Sequence, residues 1–376
     1  MQKINLDTYC SLPFVGFDHR VKHVCCWTAA ADTSGNFTSF NQCVKSDTIR
    51  DLQQDLLAGV KNKLCQTCWD QELVNVTSMR LTYLQNKNTT TIQEEISRKR
   101  LKHLVIDSGN ICNLSCRTCW PESSSGLIKE FQEKSKKFNV GSFQDTIRHV
   151  DLDRFTTEDL ESVETVNVLG GEPFQNLNHL RLLEHIIKIG RSSQCRLFYS
   201  TNGTVFLDAR VKSLLEQFKT VHLSLSIDAI DQHFEYIRTN ANWHDTLQNI
   251  LDLMAWSTSQ PKVSLSGHPT ISCLNVLYLE PLFEWYSLND LLWTPVFCES
   301  PKEYSFRIFQ PHQKDSIITR LSRSKFNVDP IIKQLERSTF DEQALSAFYR
   351  QIQFTKDYKK LDAALILPEL LAVLQI

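Results

Sequence analysis

Gly109-Asn-Ile-Cys-Asn-Leu-Ser-Cys-Arg-Thr-Cys-Trp-Pro121 sets three cysteines, Cys112, Cys116 and Cys119, at C-x3-C-x2-C spacing. They follow the apolar run Leu104-Val105-Ile106, which reads as a buried strand, and Gly109, Asn110 and Pro121 mark the next segment as a loop. Thiolates are soft ligands that suit iron–sulfur clusters. Three thiolates on a four-iron cubane leave one iron with an open position. Two other readings stay open on spacing alone. Residues 112, 116 and 119 also share one helical face, where cysteines pack as small hydrophobes. A zinc site would ordinarily take four ligands, often as paired C-x2-C units.

Composition sets the class around this loop. The 376 residues are 41% hydrophobic and 22% charged, ordinary for a globular protein with a substantial core and room for one large domain plus a smaller one. A formal charge of -2 gives no electrostatic case for nucleic acid or an anionic membrane. The basic run Arg98-Lys-Arg-Leu-Lys102 reads as a solvated helix end. Residues 1–15 lack the charged and apolar regions of a signal peptide. The apolar tail Ala363 to Ile376 is broken by Pro368 and Glu369 and is too short to span a bilayer. Twelve cysteines without a secretory signal point to metal or redox use in a reducing, cytoplasmic setting. Nine of them precede residue 120, whereas Cys195, Cys273 and Cys298 are scattered and read as buried thiols.

The first cysteine group is Cys10, the pair Cys25-Cys26, Cys43, and Cys65-Gln-Thr-Cys68. A C-x2-C on one tight turn aims two thiolates at the same centre. Between Cys43 and Cys65 a helix is expected, capped by Asp47, striped by Ile49, Leu52 and Leu56, and ended by Gly59. Residues 1–95 thus read as a small module stapled by a metal centre, since so short a segment buries little core of its own.

Downstream, a polar connecting helix is expected over 92–101, then strands near 103–107, 164–169, 195–200, 221–227, 262–273 and 291–297. Helices are expected near 122–136, 175–189, 208–217, 243–256 and 278–287. This alternation argues for βα units around a parallel sheet over residues 96–304. Residues 305–376 read as helices, with Ile317, Ile318 and Leu321 on one stripe, closing the open side. The second strand ends in Leu169-Gly-Gly-Glu-Pro173, where paired glycines admit a close ligand and proline opens a helix. The third ends in Tyr199-Ser-Thr-Asn-Gly-Thr204, and the fourth in Ser224-Leu-Ser-Ile-Asp228, followed by Tyr236-Ile-Arg238.

These motifs together resemble the radical S-adenosylmethionine (SAM) superfamily. The resemblance implies an α/β fold, a partial (β/α)6 TIM barrel with chemistry at the C-terminal strand ends. It implies a [4Fe-4S] cluster on Cys112, Cys116 and Cys119, whose open iron chelates SAM and whose electron releases a 5′-deoxyadenosyl radical. Gly170, Gly171 and Glu172 would receive the SAM ammonium, and Ser200, Thr201 and Asn202 would lie beside the ligand. Ser226 and Asp228 match an S-x-D element, and Arg238 matches the arginine that meets the SAM carboxylate, with the planar fork for it. Asn275 resembles a recurrent asparagine facing SAM. Where many members carry an aromatic residue before the third cysteine, this chain has Thr118, with Trp120 after it.

The segment 1–95 resembles the SPASM and twitch modules that carry an auxiliary [4Fe-4S] cluster, on Cys10, Cys26, Cys65 and Cys68. Cys25 or Cys43 is the alternative for one of these, and structural zinc the alternative metal. In that family the module usually follows the barrel, whereas here it precedes it. The implied protein is a radical SAM enzyme served by an electron donor such as flavodoxin or ferredoxin, with a peptide or small molecule as substrate. The competing reading is a non-catalytic iron–sulfur or zinc sensor, which needs cysteines but neither Glu172 nor Arg238.

Overall fold

Six parallel strands in the order β1 to β6 make the central sheet of the computed structural model, which describes residues 4–19, 22–25, 28, 37–73, 77–85, 87–138, 147, 152 and 155–375. They are β1 (Gly16–Asp18), β2 (His103–Asp107), β3 (Thr165–Leu169), β4 (Arg196–Thr201), β5 (Thr220–Leu225) and β6 (Val263–Gly267). Neighbours in the sheet are neighbours in sequence, so each connection crosses over one face, and helices Leu180–Lys188, Ala209–Leu215 and Trp243–Ser259 supply successive crossovers. All five residues of β2 are buried, as expected of a strand covered on both faces.

The sheet matches the expected strands from 103 to 225 closely and departs at both edges. Its sixth strand is not 291–297 but Gly16–Asp18, paired in parallel with β2 through Gly16–His103, Phe17–Leu104 and Asp18–Val105. The expected long strand at 262–273 divides at His268-Pro269, since proline donates no ladder hydrogen bond. Its second part, β7 (Thr270–Ile271), pairs with β8 (Val296–Phe297) in a separate two-stranded sheet. Beyond β6, a bridge between Gly267 and Trp293 continues the main sheet.

The cysteine-rich segment therefore contributes the first strand of the sheet, with Cys10 before that strand and its other cysteines between β1 and β2. One contiguous hydrophobic core takes in Leu52, Leu56, Leu64 and Trp69 from this segment together with Leu104, Val166 and Leu223 of the sheet. Helix Asp47–Ala58 begins one residue earlier than its expected cap implied: Ser46 is the N-cap and Asp47 the first helical residue. Gly59 ends it at φ 85°, the left-handed conformation that glycine adopts without strain. C-terminal helices Pro311–Leu321, Asp329–Arg337 and Glu342–Lys359 pack on the same core through Ile317, Ile331, Leu335 and Phe348. No described helix is long and apolar enough to cross a membrane.

Candidate active site

The three cysteines lie on the loop that leaves the C-terminal end of β2. Ser124 and Ser125, at the start of helix Ser125–Phe138, hold this loop in shape. Ser125 Oγ accepts from the Cys112 N–H at 3.1 Å, and Ser124 Oγ donates to the Leu114 carbonyl at 2.6 Å. Burial raises all three thiol pKa values, Cys116 to about 12 and Cys119 to about 11, and the charges of their fellow cysteines add to the rise in both. Ligation of a metal by these thiols must release their protons. The guanidinium of Arg238 approaches Cys116 Sγ at 3.8 Å and opposes the rise.

The loop after β3 threads against this one. Gly171 N–H donates to the Gly109 carbonyl at 2.7 Å and Glu172 N–H to the Ile111 carbonyl at 2.9 Å. A Cβ on Gly171 would stand 2.3 Å from the Ile111 carbonyl oxygen, so the approach requires glycine. The carboxylate of Glu172 is wholly buried and accepts from Thr201 Oγ1 at 2.8 Å, Asn202 N–H at 2.7 Å and Phe174 N–H at 3.2 Å. Burial outweighs these bonds and lifts its pKa to about 6. Glu172 thus ties the β3 loop to the end of β4, and Asn202 Nδ2 continues the tie to Asn113 at 3.2 Å. Ser200 stands apart from this group on the opposite face of β4, in register with Ser224.

Past β5, Ser226 N–H donates to the Thr201 carbonyl at 2.8 Å. Asp228 accepts from Thr270 N–H at 2.7 Å and pairs with Arg238 at 2.9 Å. Burial acts to lower the Arg238 pKa, but Asp228 and Cys116 outweigh it and hold the group above its ordinary value. Asn275 turns its amide to the carbonyls of Asp228 and Thr270, each at 2.9 Å, and accepts from Ser272 N–H at 2.8 Å. Its side chain therefore braces the β5 end. The cysteine triad, Glu172, Thr201, Asn202, Asp228 and Arg238 all gather at one end of the sheet.

Two groups escaped the sequence reading. Arg117, inside the cysteine loop, is buried against Glu130. His222 on β5 bonds Ser264 and Ser266 of β6, both at 2.9 Å. The alternation Thr220, His222, Ser224, Ser226 was its signal: polar residues on the face of β5 opposite buried Val221, Leu223 and Leu225.

In the N-terminal segment, Cys10, Cys25, Cys65 and Cys68 are all buried, whereas Cys26 lies outside the described residues. Burial, then the charges of Cys65, Cys25 and Cys68, pushes the Cys10 thiol far up. Burial likewise lifts Cys68 to about 11, with Cys25 adding to it and the Arg80 N–H counting against it. Cys25 Sγ accepts from Thr28 N–H at 3.5 Å, and Thr28 Oγ1 meets His23 Nδ1 at 2.7 Å. Arg80 is buried alongside, forked on Glu72 at 3.0 and 2.6 Å and stacked 5.0 Å from the Trp69 ring centre. Among the described residues no three His, Cys, Asp or Glu side chains are grouped to hold a single metal ion. A cubane makes a different demand, because each thiolate binds a separate iron.

The donor sets fit the groups that the motifs imply. Soft thiols on one loop, with a guanidinium beside Cys116, suit an anionic iron–sulfur cluster. Arg238 Nε is buried without a hydrogen-bond partner, a donor that a carboxylate oxygen would satisfy.

Residues 106–258 match the model of the Radical SAM superfamily. A GTP 3′,8-cyclase of Syntrophomonas wolfei is 27% identical over 143 residues, which are 37% of this chain and 38% of the relative. The chain therefore aligns with less than two fifths of that protein. Native anSMEcpe with bound AdoMet superposes at a TM-score of 0.39 with 17% identity, over 58% of each chain. Streptococcus suis SuiB bound to S-adenosylmethionine gives 0.37 and 12%, over 81% of this chain and 66% of SuiB.

Proposed function

We propose that this chain is a radical SAM enzyme. The observation that carries the reading is the meeting of a three-thiol loop, a two-glycine cradle and a buried arginine at one end of a parallel sheet. The family match over residues 106–258 supports it. Cys112, Cys116 and Cys119 would hold a [4Fe-4S] cluster. When bound, that cluster supplies the electron that cleaves SAM to methionine and a 5′-deoxyadenosyl radical, which takes a hydrogen atom from the substrate.

The chain's own residues do the orienting. Arg238 offers its unpaired Nε to the SAM carboxylate, while Asp228 keeps the guanidinium from swinging away. Glu172 presents negative charge for the ammonium from a position fixed by Thr201 and Asn202. Gly170 and Gly171 bring backbone carbonyls close, as no side chain intervenes. Ser226 and Asn275 complete the proposed set, Asn275 by holding the Asp228 carbonyl.

The reading extends to an auxiliary [4Fe-4S] cluster in the N-terminal segment. Its support is the mutual influence of Cys10, Cys25, Cys65 and Cys68 among the described residues; Cys26, which lies outside them, stays the proposed ligand beside Cys10, Cys65 and Cys68, with Cys25 or Cys43 as its alternative. The substrate class proposed is a peptide or protein, supported by the resemblance of this segment to SPASM and twitch modules. A flavodoxin or ferredoxin in the cytoplasm would supply the electrons. Anaerobic incubation of the reconstituted protein with SAM and dithionite tests the central claim. Formation of 5′-deoxyadenosine supports it, and iron-loaded protein that leaves SAM intact overturns it.

A further inference from the structure

Arg117 lies between the second and third cysteines of the loop, and its side chain is only 1% exposed, as is that of Glu130. Its Nη1 donates to Glu130 Oε1 at 2.7 Å and to Thr355 Oγ1 at 3.3 Å. Its Nε and Nη2 both donate to Thr239 Oγ1, at 3.1 and 2.8 Å. The backbone adds two bonds alongside: Arg117 N–H to the Ile237 carbonyl at 2.8 Å and Ser115 N–H to the Thr239 carbonyl at 2.9 Å. Asn240 Nδ2 reaches Ser115 Oγ at 3.1 Å.

One guanidinium therefore joins three stretches far apart in sequence. They are the cysteine loop, the Ile237–Asn240 segment that carries Arg238, and the C-terminal helix Glu342–Lys359. Glu130 also meets Lys134 at 3.0 Å and Lys359 at 3.6 Å, so a second residue of that helix belongs to the group. Such a buried ionic group is costly to desolvate, and an apolar plug of the same volume would stabilise the fold as well or better. What an apolar plug lacks is direction. The planar fork sets the angle between the stretches it bonds, which a lysine with the same charge does not.

We propose that Arg117 is a positioning residue that locks the Cys116–Cys119 turn to the Arg238 segment and anchors both on the C-terminal helix. This rests on the reading above, in which the turn holds a cluster and Arg238 meets SAM. The helix Glu342–Lys359 is then part of the cluster site, in addition to closing the open side of the sheet. Without the fork, Cys116 and Cys119 lose their fixed orientation toward Arg238, and cluster and SAM no longer meet in one geometry.

The test uses the full chain, reconstituted without oxygen, as wild type, Arg117→Lys and Thr239→Val. Iron content, the EPR spectrum of the reduced cluster with and without SAM, and the SAM Kd are measured for each. Arg117→Lys should keep wild-type iron, bind SAM about tenfold more weakly, and show a changed spectral response to SAM. Thr239→Val, which leaves the Arg117–Glu130 pair intact, should move the same readouts in the same direction. A lowered melting temperature with unchanged Kd and unchanged spectra in both variants would overturn the proposal and leave Arg117 a structural residue. If Arg117→Lys does not fold, Thr239→Val decides on the same criteria. A wild-type protein that takes up no iron–sulfur cluster, or whose spectrum ignores SAM, sinks the underlying reading and the proposal with it.

Discussion

Arg238 Nη2 stands 2.9 Å from Asp228 Oδ2, a pair with 9% and 0% side-chain exposure. The two buried groups answer each other, and the pair links the end of β5 to the turn that faces Cys116. Removing one partner leaves the other buried without a countercharge. Asp228→Asn should cost about 3–5 kcal/mol of folding stability. Urea denaturation of the metal-free protein measures it, and a loss under about 1 kcal/mol would show the pair to be solvated.

Arg238→Ala and Glu172→Ala separate ligand binding from cluster assembly. Each should weaken SAM binding by about 1.5–3 kcal/mol, the worth of a charged hydrogen bond. Iron content should not change, because neither side chain is a cluster ligand. Calorimetric titration with SAM beside an iron assay checks this, and loss of iron with affinity intact would reverse the assignment.

Metal content tests the two thiol groups independently. Protein assembled with two cubanes should carry about eight irons per chain, and the Cys112, Cys116 and Cys119 triple alanine variant about four. Cys65→Ala should lose the auxiliary iron and keep the cluster on Cys112, Cys116 and Cys119. Unchanged iron in Cys65→Ala would remove Cys65 from the ligand set.

The two-glycine cradle admits no side chain. In Gly171→Ala the new methyl would stand 2.3 Å from the Ile111 carbonyl oxygen, a backbone atom, so the cysteine loop must shift. The variant should fold yet assemble the cluster poorly, read as a fall in the cluster's visible absorption. Wild-type absorption and iron in Gly171→Ala would show that the loops can part without consequence.

His179 gives the fold a predictable acid limb. It is fully buried, its Nδ1 faces the Asn176 carbonyl at 3.1 Å and its Nε2 the Tyr199 hydroxyl at 2.9 Å, a pattern that suits the neutral ring. Burial lowers its pKa from 6.5 to about 4. Because the folded value lies below the unfolded one, the stabilisation is complete above pH 6.5 and is lost as pH falls toward 4. The loss should amount to about 3 kcal/mol, and His179→Gln should flatten that part of the stability–pH curve. An unchanged slope in the variant would assign the acid limb to other groups.

Much of this site was written in local sequence, because its chemistry is local. The C-x3-C-x2-C triad occupies one loop, Gly170 to Glu172 occupy one turn, and strands from 103 to 225 announce themselves by period and by the glycines and prolines between them. What no window of sequence held is who meets whom. The strand Gly16–Asp18 is three residues long, too short for a period, and it joins the sheet only because the open edge of β2 takes it. Asn275 was read as facing SAM, yet its amide spends its bonds on the Asp228 and Thr270 carbonyls. Arg117 carries no local signal, and only folding brings Glu130, Thr239 and Thr355 around it. Ligand types and spacings follow from short-range chemistry, so the sequence alone determined them. Burial, pairing and the direction of each side chain depend on contacts between segments hundreds of residues apart, and these only the tertiary structure decided.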